Sequence, residues 1–140
     1  MKYLAITMML FLNINLYGQV RNFNEIPKDV LGQMDKMGID DSPLLNSHES
    51  AFLNVVFKDS LKGFDFTNKK IGFLLAGSKR NKKEFFKEEK ERYHNNCTTI
   101  NGTLCILDAT QKKESGGYDA VIVYWCKYLI PIQDVVKMLK

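Results

Sequence analysis

Residues 103–107 (TLCIL) and 120–125 (AVIVYW) are unbroken apolar runs with polar residues on either side. A strand with one wet face alternates apolar and polar side chains, so an unbroken run of this length reads as a strand covered on both faces. That requirement narrows the fold to the α/β class, with helices packed on both sides of a sheet. Residues 70–76 (KIGFLLA) read as a further strand.

The helices that would cover this sheet show in the spacing of apolar residues. Ile26, Val30, Leu31, Met34 and Met37 lie at helical intervals, with Pro27 at the start and Gly38 past the end, so a helix is expected over 27–37. Asn46 followed by Glu49 has capping-box spacing and opens a second helix over about 47–58. Asn81 and Glu84 repeat that spacing ahead of a charged helix over 82–94, whose apolar stripe is Phe85, Phe86 and Tyr93. A last helix begins at Pro131 and carries Ile132, Val135, Val136 and Leu139 on one face.

In chain order, the strand at 70–76, the helix at 82–94 and the strand at 103–107 predict a parallel crossover. The ten residues 109–118 are too short for a second crossover and predict an antiparallel hairpin into 120–125. The expected fold is a small mixed three-stranded sheet flanked by about four helices. At 140 residues the chain has room for one domain.

The first eighteen residues read as an address. Lys2 precedes an apolar run, Tyr3 to Leu12, which is interrupted by Asn13 and Asn15. A transmembrane helix needs about 20 apolar residues, so this pattern is that of a signal peptide cut after Gly18. The expected protein is exported, periplasmic or secreted, with residues 19–140 as its domain and no stable membrane span after cleavage. A net charge of +4 is too mild to indicate nucleic-acid binding.

The predicted topology sorts the polar residues onto two sheet ends. The carboxyl end of the parallel pair, where open α/β sheets hold ligands, would collect Ser78, Lys79, Arg80, Asn81, Lys82, Lys83, Asp108 and Asp119, together with Gly116, Gly117 and Tyr118. The cations crowd a helix start, where a bound anion would offset their repulsion by the helix dipole. They match no Walker-type phosphate loop. As solvated loop lysines they need no ligand, and Asp108 and Asp119 equally suit turn caps.

The opposite end would hold His94, Cys97, Asn101 and Cys126. Two chemistries fit them: a thiol or metal site centred on His94, Cys97 and Cys126, or a Cys97–Cys126 disulfide with Cys105 buried as a small apolar residue. No G-x-S-x-G element and no cofactor motif is present. His48 reads as a surface residue. Tyr124, Trp125 and Tyr128 read as core aromatics. Asn96-Cys97-Thr98 and Asn101-Gly102-Thr103 fit the glycosylation acceptor pattern. The expected activity is non-catalytic binding of a protein partner or a small anionic ligand, with the thiol or metal enzyme as the alternative and no metal or cofactor required.

Overall fold

The structure, a computed structural model, describes residues 19–75, 77–96, 99–124 and 130–140, with side chains throughout except at 19–21 and 99–101. The predicted signal peptide, Cys97, Trp125, Cys126 and Tyr128 lie outside the described residues. The class is the predicted one, a mixed α/β fold, and the strand number is larger than expected. Among the described residues five strands form one sheet: β1 (Gln19–Asn22), β2 (Ile71–Leu75), β3 (Ser78–Arg80), β4 (Thr99–Ile106) and β5 (Ala120–Tyr124). Their order across the sheet is β1-β4-β5-β2-β3. Only β2 and β5 run parallel, and every other neighbouring pair is antiparallel.

The expected parallel crossover from 70–76 to 103–107 is therefore corrected. The cause is β3, which the sequence reading missed. Leu75 pairs with Ser78, so the chain reverses almost at once, with Gly77 at φ +88°. That conformation is easy only for glycine and suits a hairpin turn. The reversal returns the chain to the amino end of β2 before the next helix starts. The helix then runs the same way as β2, and β4 comes back antiparallel with β5 inserted between the two.

The α-helices among the described residues are α1 (Lys28–Leu31), α2 (Ser47–Val56), α3 (Lys82–His94), α4 (Ala109–Ser115) and α5 (Ile132–Met138). The predicted 27–37 helix is instead the short α1 and a 3-10 turn at Met34–Lys36, although Ile26, Met34 and Met37 are buried as the spacing implied. The antiparallel hairpin over 109–118 holds, but its connection contains α4. Asp108 accepts from Gln111 N–H while Gln111 Oε1 accepts from Asp108 N–H, a full capping box.

One face of the sheet packs on α2, α3 and the turns before them, the other on α4 and α5. The first core is aromatic: Phe85 of α3 stacks on Phe73 of β2 at 4.8 Å and meets Tyr124 of β5 edge-on at 4.9 Å. The second is aliphatic, joining Leu74, Val121 and Val123 of the sheet to Val135, Val136 and Leu139. Such layering explains the runs of β2 and β5, which bury both alternate sets of side chains; β4 is covered less fully than its run implied, with Thr103 and Cys105 half-buried and Ile106 exposed.

Candidate functional site

A cleft of about 770 Å³ opens where α4 and the end of α5 meet the β2–β3 edge. Its centre is Tyr118, on the strand of chain leading from α4 into β5. Gly116 and Gly117, at φ +95° and +101°, carry the chain through this turn. Gly72 makes room for the ring: a Cβ there would overlap the Leu139 side chain and lie 3.4 Å from Tyr118 Cδ1.

Two ammonium groups attend the ring. Lys70 Nζ lies 4.5 Å from its centroid and Lys79 Nζ 5.8 Å away, both at cation–π distance. Each is also tied to a helix end: Lys70 Nζ donates to Gly116 O at 3.0 Å after α4, and Lys79 Nζ to Leu139 O at 2.9 Å after α5. The carboxyl ends of both helices thus receive a positive charge, which their dipoles favour. An ammonium has three N–H donors, and these bonds use one of each. Lys113 and Lys140 line the same cleft, both exposed, and Glu114 brings the one carboxylate side chain to its lining.

Of the residues expected at the ligand end of the sheet, Gly116 and Tyr118 line this cleft, and so does Lys79. It meets Tyr118 as expected, but Tyr118 lies ahead of β5 at the amino end of the parallel strands, and the Lys79 side chain reaches it from a position paired with Leu74. Ser78 is exposed at the opposite end, level with Leu75. Arg80 pairs with Glu84 at 3.4 Å, and Asn81 caps α3 by accepting from Glu84 N–H. Lys83 is exposed. Asp108 caps α4.

Lys82 is 3% exposed and points inward. Its Nζ donates to Leu44 O at 2.8 Å and lies 2.9 Å from both Glu49 Oε1 and Asp40 Oδ1. Those three partners engage its three donors. The helix start is accordingly less cationic towards solvent than its sequence suggests.

Asp119 accepts from Lys70 N–H at 2.8 Å and forms an ion pair with Lys112 at 2.7 Å. Partial burial pushes its carboxyl up, but the Lys112 contact and the Lys70 N–H outweigh this and hold it below the ordinary range. Asp119 thereby fixes the backbone of Lys70 on the sheet while the Lys70 side chain crosses Tyr118.

Lys70, Lys113 and Lys140 were not singled out from sequence. Lys113 lies on the unexpected α4, and Lys140 follows α5, so both depended on packing for their place. For Lys70 a signal existed in its position, immediately ahead of β2.

At the other sheet end, His94 is exposed in the last turn of α3, its ring 5.6 Å from that of Tyr93. Cys97 and Cys126 lie outside the described residues. Cys105 is a free, partly buried thiol, pushed up to about 11 by burial, a thiol rather than a thiolate at neutral pH. Among the described residues no three His, Cys, Asp or Glu side chains group to hold a metal, and no helix is long and apolar enough to cross a membrane.

Residues 41–140 match the family described as Domain of unknown function (DUF8192). No curated protein and no solved structure matches the chain.

Proposed function

The chain belongs to the DUF8192 family, and we propose that it is an exported, non-catalytic binding protein whose Tyr118 cleft receives a small anionic ligand. The observation that carries this reading is the cleft lining: Lys70, Lys79, Lys113 and Lys140 surround one tyrosine, against the single carboxylate side chain of Glu114. The free N–H donors of Lys70 and Lys79 would form charge-assisted bonds to an anion. The two exposed lysines at the rim would raise its local concentration, an effect that weakens with salt. A cleft of about 770 Å³ suits a small organic anion.

The test uses inorganic pyrophosphate as the probe and thermal unfolding as the readout, since a ligand that binds only the native state raises its melting temperature. Wild-type protein is expected to be stabilised at low salt. The double variant Lys113→Glu, Lys140→Glu should lose that shift while staying folded, because both residues are exposed. Lys58→Glu, on the 3-10 turn that follows α2 on the opposite side of the sheet, changes charge by as much as either cleft substitution alone and should retain it. No stabilisation of wild type, or equal loss in the Lys58 variant, rejects the cleft as an anion site and leaves a protein partner as the ligand to seek.

A further inference from the structure

Two glutamates of this fold are completely buried, Glu49 and Glu89, each 0% exposed. Glu49 is fully wired: Oε1 accepts from Asn46 N–H and from Lys82, and Oε2 accepts from Gly38 N–H. Glu89 has none of this. Both of its carboxyl oxygens are buried without a hydrogen-bond partner. It sits on the inward stripe of α3 one turn after Phe85 and Phe86, facing the aromatic core. The Tyr124 hydroxyl of β5 is likewise buried without a partner and lies close enough for the Glu89 charge to act on it. A bare carboxylate in such surroundings is costly, whereas the neutral acid is tolerated.

We propose that Glu89 is a pH-sensitive latch: as a neutral acid it lets α3 lie against the sheet, and on ionising it loosens that contact. The groups around it are few. On its own helix Arg92 favours the ionised form and Glu88 opposes it, while burial dominates and pushes the carboxyl up to about 7. From the sheet, β5 presents the Tyr124 phenol, itself pushed up by burial, β3 carries Arg80, whose charge also acts on that phenol, and β2 (IGFLL) presents no titratable side chain. The 3-10 turn beside α3 carries Asp35 and Lys36, both exposed.

The sign follows from linkage. The unfolded chain ionises Glu89 near the ordinary 4.5, and the folded chain near 7. The fold therefore carries no penalty below about 4.5, an increasing one as pH rises towards 7, and a constant one above.

Native-state hydrogen exchange, corrected for intrinsic rates, tests this on the full chain. The opening constant of α3 amides in wild type should be roughly a hundredfold larger at pH 8 than at pH 5. In Glu89→Gln, which keeps size and neutrality, it should change far less over the same range. An equal opening constant in wild type at both pH values overturns the latch. So does a carbon-13 titration of the wild-type Glu89 carboxyl with a midpoint below 5, a measurement that stands even if the glutamine variant does not fold.

Discussion

Lys82 and Lys83 are adjacent lysines with opposite surroundings. Lys82 joins the start of α3 to Glu49 of α2 and to the loop that holds Asp40 and Leu44. Removing it strands a buried carboxylate, so Lys82→Met should lower stability by about 3–5 kcal/mol. Lys83→Met should stay within about 0.5 kcal/mol of wild type, as for most exposed substitutions. Urea denaturation of both variants checks the contrast, and equal effects would show that the buried network contributes nothing. Gly38 is the backbone half of the same device. It has φ +67°, its N–H donates to Glu49, and a Cβ there would sit 2.7 Å from Phe86 Cβ. Gly38→Ala should therefore destabilise by about 1–3 kcal/mol from the strained backbone alone, with the clash added. Sequence spacing placed this glycine past the end of a helix over 27–37, and it does follow a helical end, that of the 3-10 turn at Met34–Lys36. Its contact with Phe86 is a matter of which elements face one another, and no local pattern carries that.

The helices were most legible where a side chain caps its own backbone. Asn46 with Glu49 and Asn81 with Glu84 mark the starts of α2 and α3 at the predicted residues. The Asp108 and Gln111 pair has the same three-residue spacing, yet α4 went unread because its seven residues lack a strong apolar stripe. Loss of the cap in Asp108→Ala should cost about 0.5–2 kcal/mol. Since α4 bears Lys113 and ends at the Gly116 carbonyl held by Lys70, the same variant should also weaken pyrophosphate binding, measurable by calorimetry at a temperature where the protein stays folded. Unchanged affinity would mean that α4 does not shape the cleft. The strand β3 is the opposite case. Three polar residues, Ser-Lys-Arg, have no strand signature, and they became a strand only because β2 offered them an edge.

For the molecule as a whole, titrating groups act from both sides. Asp119 is held below the ordinary carboxylate range in the fold, so its contribution is present above about pH 4 and is lost as pH falls through its folded value. Glu89, held above the ordinary range, withdraws stability as pH rises from about 4.5 to 7, an effect on the order of 3 kcal/mol. Stability measured by denaturation across pH should therefore peak on the acid side, near pH 4 to 5, and Glu89→Gln should flatten the alkaline side of that profile. A maximum above pH 7 in wild type would contradict both signs taken together. The family match spans 41–140, but Phe23, Ile26, Met34 and Met37 from the preceding segment are all buried in the aromatic core, and β1 pairs along β4. A fragment limited to 41–140 should lose cooperative unfolding and associate through the uncovered β4 edge, seen by calorimetry and sedimentation. A monomeric fragment with a sharp transition would show the segment to be dispensable.

Local pattern was enough to establish the layered α/β class, the positions of three strands, the capped starts of α2 and α3, and the burial of Ile26, Met34 and Met37. Each of these rests on short-range physics: the period of a strand or helix, a cap reaching its own backbone, an apolar run too long to face water. Strand direction and the composition of the cleft lay beyond it. The reversal at Gly77 turned α3 and β4 around, and with them the end of the sheet to which every loop belongs. Lys70, Lys79, Lys113 and Lys140 come from two loop positions, a strand and a helix, and their convergence on Tyr118 depends on that pairing and on the space left at Gly72. A lysine's charge is written in its residue type, whereas its exposure follows from what packs around it, which is why Lys79 faces an open cleft and Lys82 the core.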